Sequence, residues 1–355
     1  MPVISVENLS KRFNLEAGFF ARFGRFVYAV NGVSFSIGEN ESYGLVGESG
    51  CGKTTTARLL VRMYERDGGG IRYREDTDVG GLSGNALKAY REKIKYIFQD
   101  PARSLNPRMS VYEVLVSGYR YSSRFPGEKK ARIEAGDILE EVGLSRGDLE
   151  RRPSEFSGGQ RQRVSIARGL LLKPELLICD EVVSALDVSI QGQILNLLLD
   201  IREKRGVSFL FIAHDLRVAC YFCDRIGVMY RGELMEEAPA GELYRNARHP
   251  YTKLLFSSVS GAGFSPPGTG VSAASGAGIS AGISAGTETG LKAGAVSAMP
   301  FATAPATAPA DDSSLSAGCP FAPRCTEARE RCFREHPEIG ELEKDHRIRC
   351  FTFGP

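Results

Sequence analysis

The stretch Gly47-Glu-Ser-Gly50-Cys-Gly52-Lys53-Thr54 constrains this chain more than any other. It follows an apolar run, Ser42–Val46, that reads as a strand, and it opens a helical pattern over Thr55–Met63. Its glycines let main-chain N–H groups close around an anion, and the N-terminus of the following helix adds positive potential there. Lys53 is placed to reach terminal phosphates, and Thr54 to offer its hydroxyl to Mg²⁺. A glycine turn with a solvated lysine would not require the full pattern between a strand and a helix.

The surrounding pattern is an α/β one. Short apolar segments such as Ser42–Val46, Leu176–Cys179 and Ser208–Ala213 alternate with helical patterns such as Ile194–Lys204, which predicts a mainly parallel core sheet. The strand Leu176-Leu-Ile-Cys-Asp180-Glu181 ends in two carboxylates and resembles a Walker B element, as Gly47–Thr54 resembles a Walker A loop. In that pairing Asp180 serves the Mg²⁺ shell and Glu181 orients and polarises the attacking water. Taken alone, so short a motif is commonly a buried strand with an acidic end.

Composition narrows the partners. With 355 residues, 42% hydrophobic and 25% charged, the chain can bury a sizeable core, and more than one folding unit is possible. Its 45 Lys and Arg against 43 Asp and Glu give no broad positive field, which argues against nucleic acid. No run approaches the roughly 18 apolar residues needed to cross a bilayer, and Met1–Ser10 lacks the basic and apolar halves of an export signal. Four of the 8 cysteines are scattered through apolar runs and four lie in the last stretch, a pattern that suits a reducing compartment better than a disulfide framework.

Phe156-Ser-Gly-Gly-Gln160 opens a basic helix running to about Leu172. Ser157 and Gln160 satisfy a capping box, but that reading leaves the glycine pair unexplained. Gly158 and Gly159 strip side chains from a helix N-terminus and create a second anion site. With these residues the sequence resembles the ATP-binding cassette (ABC) ATPases, over roughly Val3–Leu255. Ser157–Gln160 looks like their signature motif, Gln99 their Q-loop glutamine, Ser184-Ala-Leu-Asp187 their D-loop, and His214 their switch histidine.

The resemblance implies a P-loop NTPase fold with a helical subdomain, and ATP hydrolysis with Mg²⁺ as cofactor. It implies catalytic roles for Glu181, His214 and Gln99, and Mg²⁺ contacts from Thr54, Gln99 and Asp180. It further implies ATP contacts from Gly47, Glu48, Ser49, Gly50, Cys51, Gly52, Lys53, Thr54 and Thr55, and from Ser157, Gly158, Gly159, Gln160 and Asp187. In such proteins two cassettes associate head to tail, each signature helix closing over the other's ATP. An aromatic residue near the N-terminus stacks on adenine: Phe13 is the match, with Tyr28 the alternative across an insert at Asn14–Phe26.

Phe98-Gln-Asp-Pro-Ala-Arg-Ser-Leu-Asn-Pro-Arg-Met109 is similar to the dipeptide/oligopeptide importer branch, as are Cys223–Tyr230 and His249-Pro-Tyr-Thr252. That branch also serves nickel, glutathione and some sugars. It implies two transmembrane permease subunits, a second ATPase subunit, an extracytoplasmic binding protein, and a place on the cytoplasmic face of the membrane. Val182 departs from the branch's usual proline without removing a catalytic group. The competing readings are a soluble ABC ATPase of DNA repair or translation, for which no coiled-coil insert, second cassette or basic run is visible, and a non-hydrolysing ATP-binding module.

The domain division expected is 1–256 for the cassette, 257–317 for a disordered Gly/Ala/Ser/Thr/Pro linker, and 318–355 for a cysteine-bearing C-terminal segment. A segment that short needs a staple. Cys319, Cys325, Cys332 and Cys350 are four thiolates that suit either iron–sulfur or zinc. The resemblance to peptide-importer ATPases implies a [4Fe–4S] cluster. Cys220-x-x-Cys223 is a rival half-site but lies in an apolar helical stretch, where core packing explains it.

Overall fold

The structure is a computed structural model that describes residues 1–14, 26–258 and 317–353. The expected linker therefore lies outside the described residues from 259 to 316, as does the insert from 15 to 25. Twelve strands are present among the described residues: β1 (Pro2–Asn14), β2 (Phe26–Gly38), β3 (Ser42–Val46), β4 (Gly68–Tyr73), β5 (Thr77–Asp78), β6 (Ile94–Ile97), β7 (Leu176–Asp180), β8 (Ser208–Ala213), β9 (Arg225–Tyr230), β10 (Glu233–Pro239), β11 (Gly340–Glu343) and β12 (His346–Ile348).

They form a four-stranded sheet, β2-β1-β4-β5, and an eight-stranded sheet, β11-β12-β10-β9-β3-β8-β7-β6. The first is antiparallel throughout. In the second, β6 to β9 run parallel, which is the arrangement the continuous apolar runs predict, because a parallel strand is buried on both faces. β7 and β8 show it residue by residue. Leu177, Cys179, Phe209 and Phe211 enter one core cluster, whereas Leu176, Ile178, Leu210 and Ile212 enter the other. Each such side chain contributes about 1.5–3 kcal/mol of burial.

Between β6 and β7 the chain inserts the helices Val111–Tyr119, Glu128–Glu141 and Gly158–Leu170, which is the helical subdomain expected. Ser110 and Glu113 cap the first of these reciprocally. Val114, Leu115, Ala131, Ile138, Val164 and Ala167 pack these helices onto the same cluster as β7 and β8, so the subdomain and the sheet share one core.

The described part of the tail extends this fold. β12 pairs with β10, and β11 with β12, so the chain's end adds a hairpin to the edge of the main sheet. The buried carboxylates of β10 meet it: Glu236 faces His346 Nε2 at 2.8 Å, Glu233 faces His336 Nε2 at 2.8 Å, and Glu237 accepts from Arg347 Nε at 2.7 Å. Burial pushes the Glu236 carboxyl up, but His346, Thr252 and the main-chain N–H groups of Arg248 and His249 outweigh it, so its net direction is down.

Candidate nucleotide site

β3, buried along its whole length, delivers the chain to Gly47, and the helix Lys53–Leu60 carries it away. Two glycines here are sterically required. A Cβ on Gly47 would sit 2.1 Å from the Met229 carbonyl oxygen, and one on Gly52 2.0 Å from that of Ala29, each at a positive φ. The loop is thus clamped between β9 and β2. Lys53 is buried and donates its Nζ back to the carbonyls of Gly47 and Glu48, at 2.8 and 2.9 Å. Its ammonium therefore sits inside the curl of the loop.

The second motif arrives beside the first. Thr54 Oγ1 donates to Asp180 Oδ1 at 3.0 Å, across 126 residues of sequence, and Tyr96 donates its hydroxyl to Asp180 Oδ2 at 2.5 Å. Gln99 Nε2 donates to Glu181 Oε2 at 2.6 Å. Glu181 takes a left-handed backbone conformation, φ 48°, that few non-glycine residues adopt. Glu181 and His214 line one small cavity, about 40 Å³, with Ser184 and Asp215. Thr54, Gln99, Asp180, Glu181 and His214 therefore gather at the carboxyl ends of β3, β6, β7 and β8, the position where open α/β sheets bind ligands.

A hydroxyl and a carboxylate oxygen in direct contact are hard donors of the kind Mg²⁺ takes, with the remaining positions left to water and phosphate. The residues present fit that ion. Tyr96 was not anticipated from the sequence. Its hydroxyl is visible only once β6 is paired with β7, though its position three residues before Gln99 offered a hint.

The Ser157–Gln160 turn is formed as the capping rule expects: Ser157 Oγ accepts from the Gln160 N–H at 3.3 Å, and Gln160 Oε1 from the Ser157 N–H at 3.0 Å. The second glycine of its pair has a further reason. A Cβ on Gly159 would meet Ile190 Cγ2 at 2.8 Å, so the turn packs closely on the helix Val188–Arg205, which Asp187 precedes as an exposed N-cap. Of the aromatic candidates, Phe13 sets its ring edge-on to Tyr64 at 5.3 Å. Tyr28 precedes Ala29, whose carbonyl abuts Gly52.

All eight cysteines are free thiols. Cys319, Cys325, Cys332 and Cys350 line one narrow cavity of about 20 Å³ with His249 and Phe321. The tail thus brings the four predicted ligands to one place. Among the described residues, however, no group of three or more His, Cys, Asp or Glu side chains could hold a metal ion. Burial pushes the Cys319 thiol up to about 11. Cys220 and Cys223 are buried in the main core, as core packing predicts.

A parallel sheet with a glycine-rich phosphate loop after one strand, a Thr–Asp pair spanning two strand ends, and a carboxylate beside a histidine defines the class of P-loop ATPase cassettes. Comparison with known proteins names the family. The ABC transporter family model matches residues 30–184, and that of the oligopeptide/dipeptide transporter C-terminal region matches 235–265 and 296–332. A putative oligopeptide transport ATP-binding protein of Bacillus subtilis, YkfD, is 38% identical over 353 residues, covering 99% of this chain and 96% of that protein. The oligopeptide transport ATP-binding protein OppF of the same organism is 48% identical over 233 residues, 66% of this chain and 76% of its own. Among solved structures, a dimeric ATP-binding cassette in a post-hydrolysis state with ADP and Pi matches with TM-score 0.59 at 27% identity, over 67% of this chain and 98% of that one. The chain belongs to the ABC transporter family of ATP-binding, ATP-hydrolysing subunits.

Proposed function

We propose that the chain is the ATP-hydrolysing subunit of an importer of dipeptides or oligopeptides. The observation that carries the reading is the assembly of Lys53, Thr54, Gln99, Asp180, Glu181 and His214 at adjacent strand ends, in a chain similar over its length to oligopeptide transport ATP-binding proteins. Gly47–Thr55 bind phosphate through Lys53 and those main-chain N–H groups not already engaged within the protein, as that of Glu48 is by Tyr251, and Thr54, Asp180 and Gln99 hold Mg²⁺. Bound there, the ion neutralises phosphate charge. Glu181 orients and polarises the attacking water, and His214, in the same cavity, holds the terminal phosphate in line. Phe13 stacks on adenine, with Tyr28 the alternative.

Ser157, Gly158, Gly159, Gln160 and Asp187 lie on the Ile190 side of the molecule and act on the ATP of a second ATPase subunit in a head-to-tail dimer. Among the described residues no helix is long and apolar enough to cross a membrane, which fits a subunit that works on two permease subunits at the cytoplasmic face, supplied by an extracytoplasmic binding protein. The cassette spans 1–256, followed by a linker, 257–317, and a cysteine segment, 318–355. In the last of these, Cys319, Cys325, Cys332 and Cys350 share a cavity as free thiols and would draw closer together to ligate a [4Fe–4S] cluster, since among the described residues no three of them are gathered to hold a metal. Anaerobic protein should then be brown and carry roughly four irons and four sulfides per chain. Colourless, zinc-loaded or metal-free protein would reject it.

The test of the importer is reconstitution in vesicles with the membrane subunits that co-purify with the chain. ATP turnover should rise when peptide and its binding protein are supplied from outside. Stimulation by nickel, glutathione or sugar in place of peptide would reassign the substrate. Turnover that neither the membrane subunits nor peptide with its binding protein alters would overturn the importer.

A further inference from the structure

Glu48, the second residue of the phosphate loop, has each of its polar groups engaged. Its carbonyl accepts from Lys53 Nζ at 2.9 Å, and its N–H donates to the Tyr251 hydroxyl at 2.9 Å. Its carboxylate takes both arms of one guanidinium: Arg324 Nη1 to Oε2 and Nη2 to Oε1, each at 2.8 Å. Arg324 stands 276 residues further along the chain, between Cys319 and Cys325. Its backbone is seated by Phe321, which packs on Tyr230 and Tyr251 with ring centroids 5.4 and 5.3 Å away. The cysteine segment therefore touches the phosphate loop directly through Arg324, and Phe321 packs on the Tyr251 whose hydroxyl accepts from the Glu48 N–H.

A planar fork matched to a carboxylate fixes orientation as well as charge. Without it, Glu48 would carry an unpaired negative charge in a loop built to receive phosphates, next to the Lys53 that should neutralise them. The Arg324 guanidinium is also the largest cause holding the Glu48 carboxyl below its usual range.

We propose that Arg324 is a positioning residue for nucleotide binding: it neutralises and orients Glu48, so that the phosphate loop's affinity for ATP depends on the docked cysteine segment. The inference rests on the reading of Gly47–Thr54 as the ATP site. Both partners are about two-fifths exposed, so the effect is modest and salt-sensitive.

The experiment uses the full chain and measures ATP affinity and the KM and kcat of hydrolysis at low and high ionic strength. Arg324→Ala should raise KM about fivefold at low salt with kcat nearly unchanged, the gap narrowing at high salt. Arg324→Lys, a point charge without the fork, should fall between. Glu48→Gln placed in the Arg324→Ala background should lower KM back toward wild type, because it removes the charge left unpaired. An Arg324→Ala protein with wild-type KM would overturn the inference, as would a raised KM that Glu48→Gln leaves unrelieved or that salt leaves unchanged. Lys53→Ala run alongside separates the two readings. If it abolishes ATP binding while Arg324→Ala changes nothing, the coupling alone fails; if it too changes nothing, the site itself is misassigned.

Discussion

The phosphate loop and the cysteine segment are built in opposite ways. The loop is a local object: eight consecutive residues between β3 and a helix, shaped by glycines whose neighbours are the carbonyls of β2 and β9. The segment has almost no core of its own. Its strands are three and four residues long, and it is held by adding to an existing edge and by meeting the buried carboxylates of β10. One region carries its information in consecutive residues, the other in partners far away. Damage to the first should therefore cost chemistry, and damage to the second should cost stability, reaching the nucleotide only through the Arg324–Glu48 pair.

The sharpest test of that division is Glu181→Gln. The amide keeps size and hydrogen bonding but cannot polarise water, so hydrolysis should fall about a thousandfold while ATP still binds. Single-turnover assays together with nucleotide-binding titrations would show it. Hydrolysis at the wild-type rate would mean that another group activates water.

Next in size is Glu236→Ala, which strips the partner from the buried His346 and from two main-chain N–H groups. Leaving such groups unpaired should cost about 3 kcal/mol in denaturant unfolding. A loss below about 1 kcal/mol would show that the tail's attachment is a surface feature and would break the comparison.

The smallest effect concerns His249, buried beside the cysteine cavity and held neutral, its pKa lowered to about 4 by burial. An unfolded chain binds that proton near pH 6.5, the folded one only near 4. Stability from this group is therefore complete above about pH 6.5 and is lost as pH falls toward about 4, roughly 2 kcal/mol of it by about pH 5. Urea midpoints across that window should fall less steeply for His249→Gln than for wild type. Parallel slopes would show that the histidine is solvated in solution.

Much of this was legible in the sequence because it depends on local rules. Glycine placement, the apolar period of β3, β7 and β8, and the Ser157/Gln160 cap are written in neighbouring residues and reappear at the expected places. Gly159 was legible only in part. The capping rule explained the turn, but its closeness to Ile190 depends on how two helices pack. Tyr251 lies in a stretch singled out from the sequence as a branch marker, yet nothing local announces that its hydroxyl supports the Glu48 N–H.

By itself the sequence determined that a phosphate loop follows a buried strand, that an acidic pair ends another, and that four cysteines close the chain. Which of these meet was decided only in three dimensions. Strand order sets Thr54 on Asp180 and Gln99 on Glu181, because parallel neighbours present the same ends side by side. The edge of β10 set the fate of the tail, since an open edge and buried carboxylates require partners, and β12, His346 and Arg347 supply them. From that docking follows the contact between Arg324 and Glu48, which no spacing in the sequence encodes.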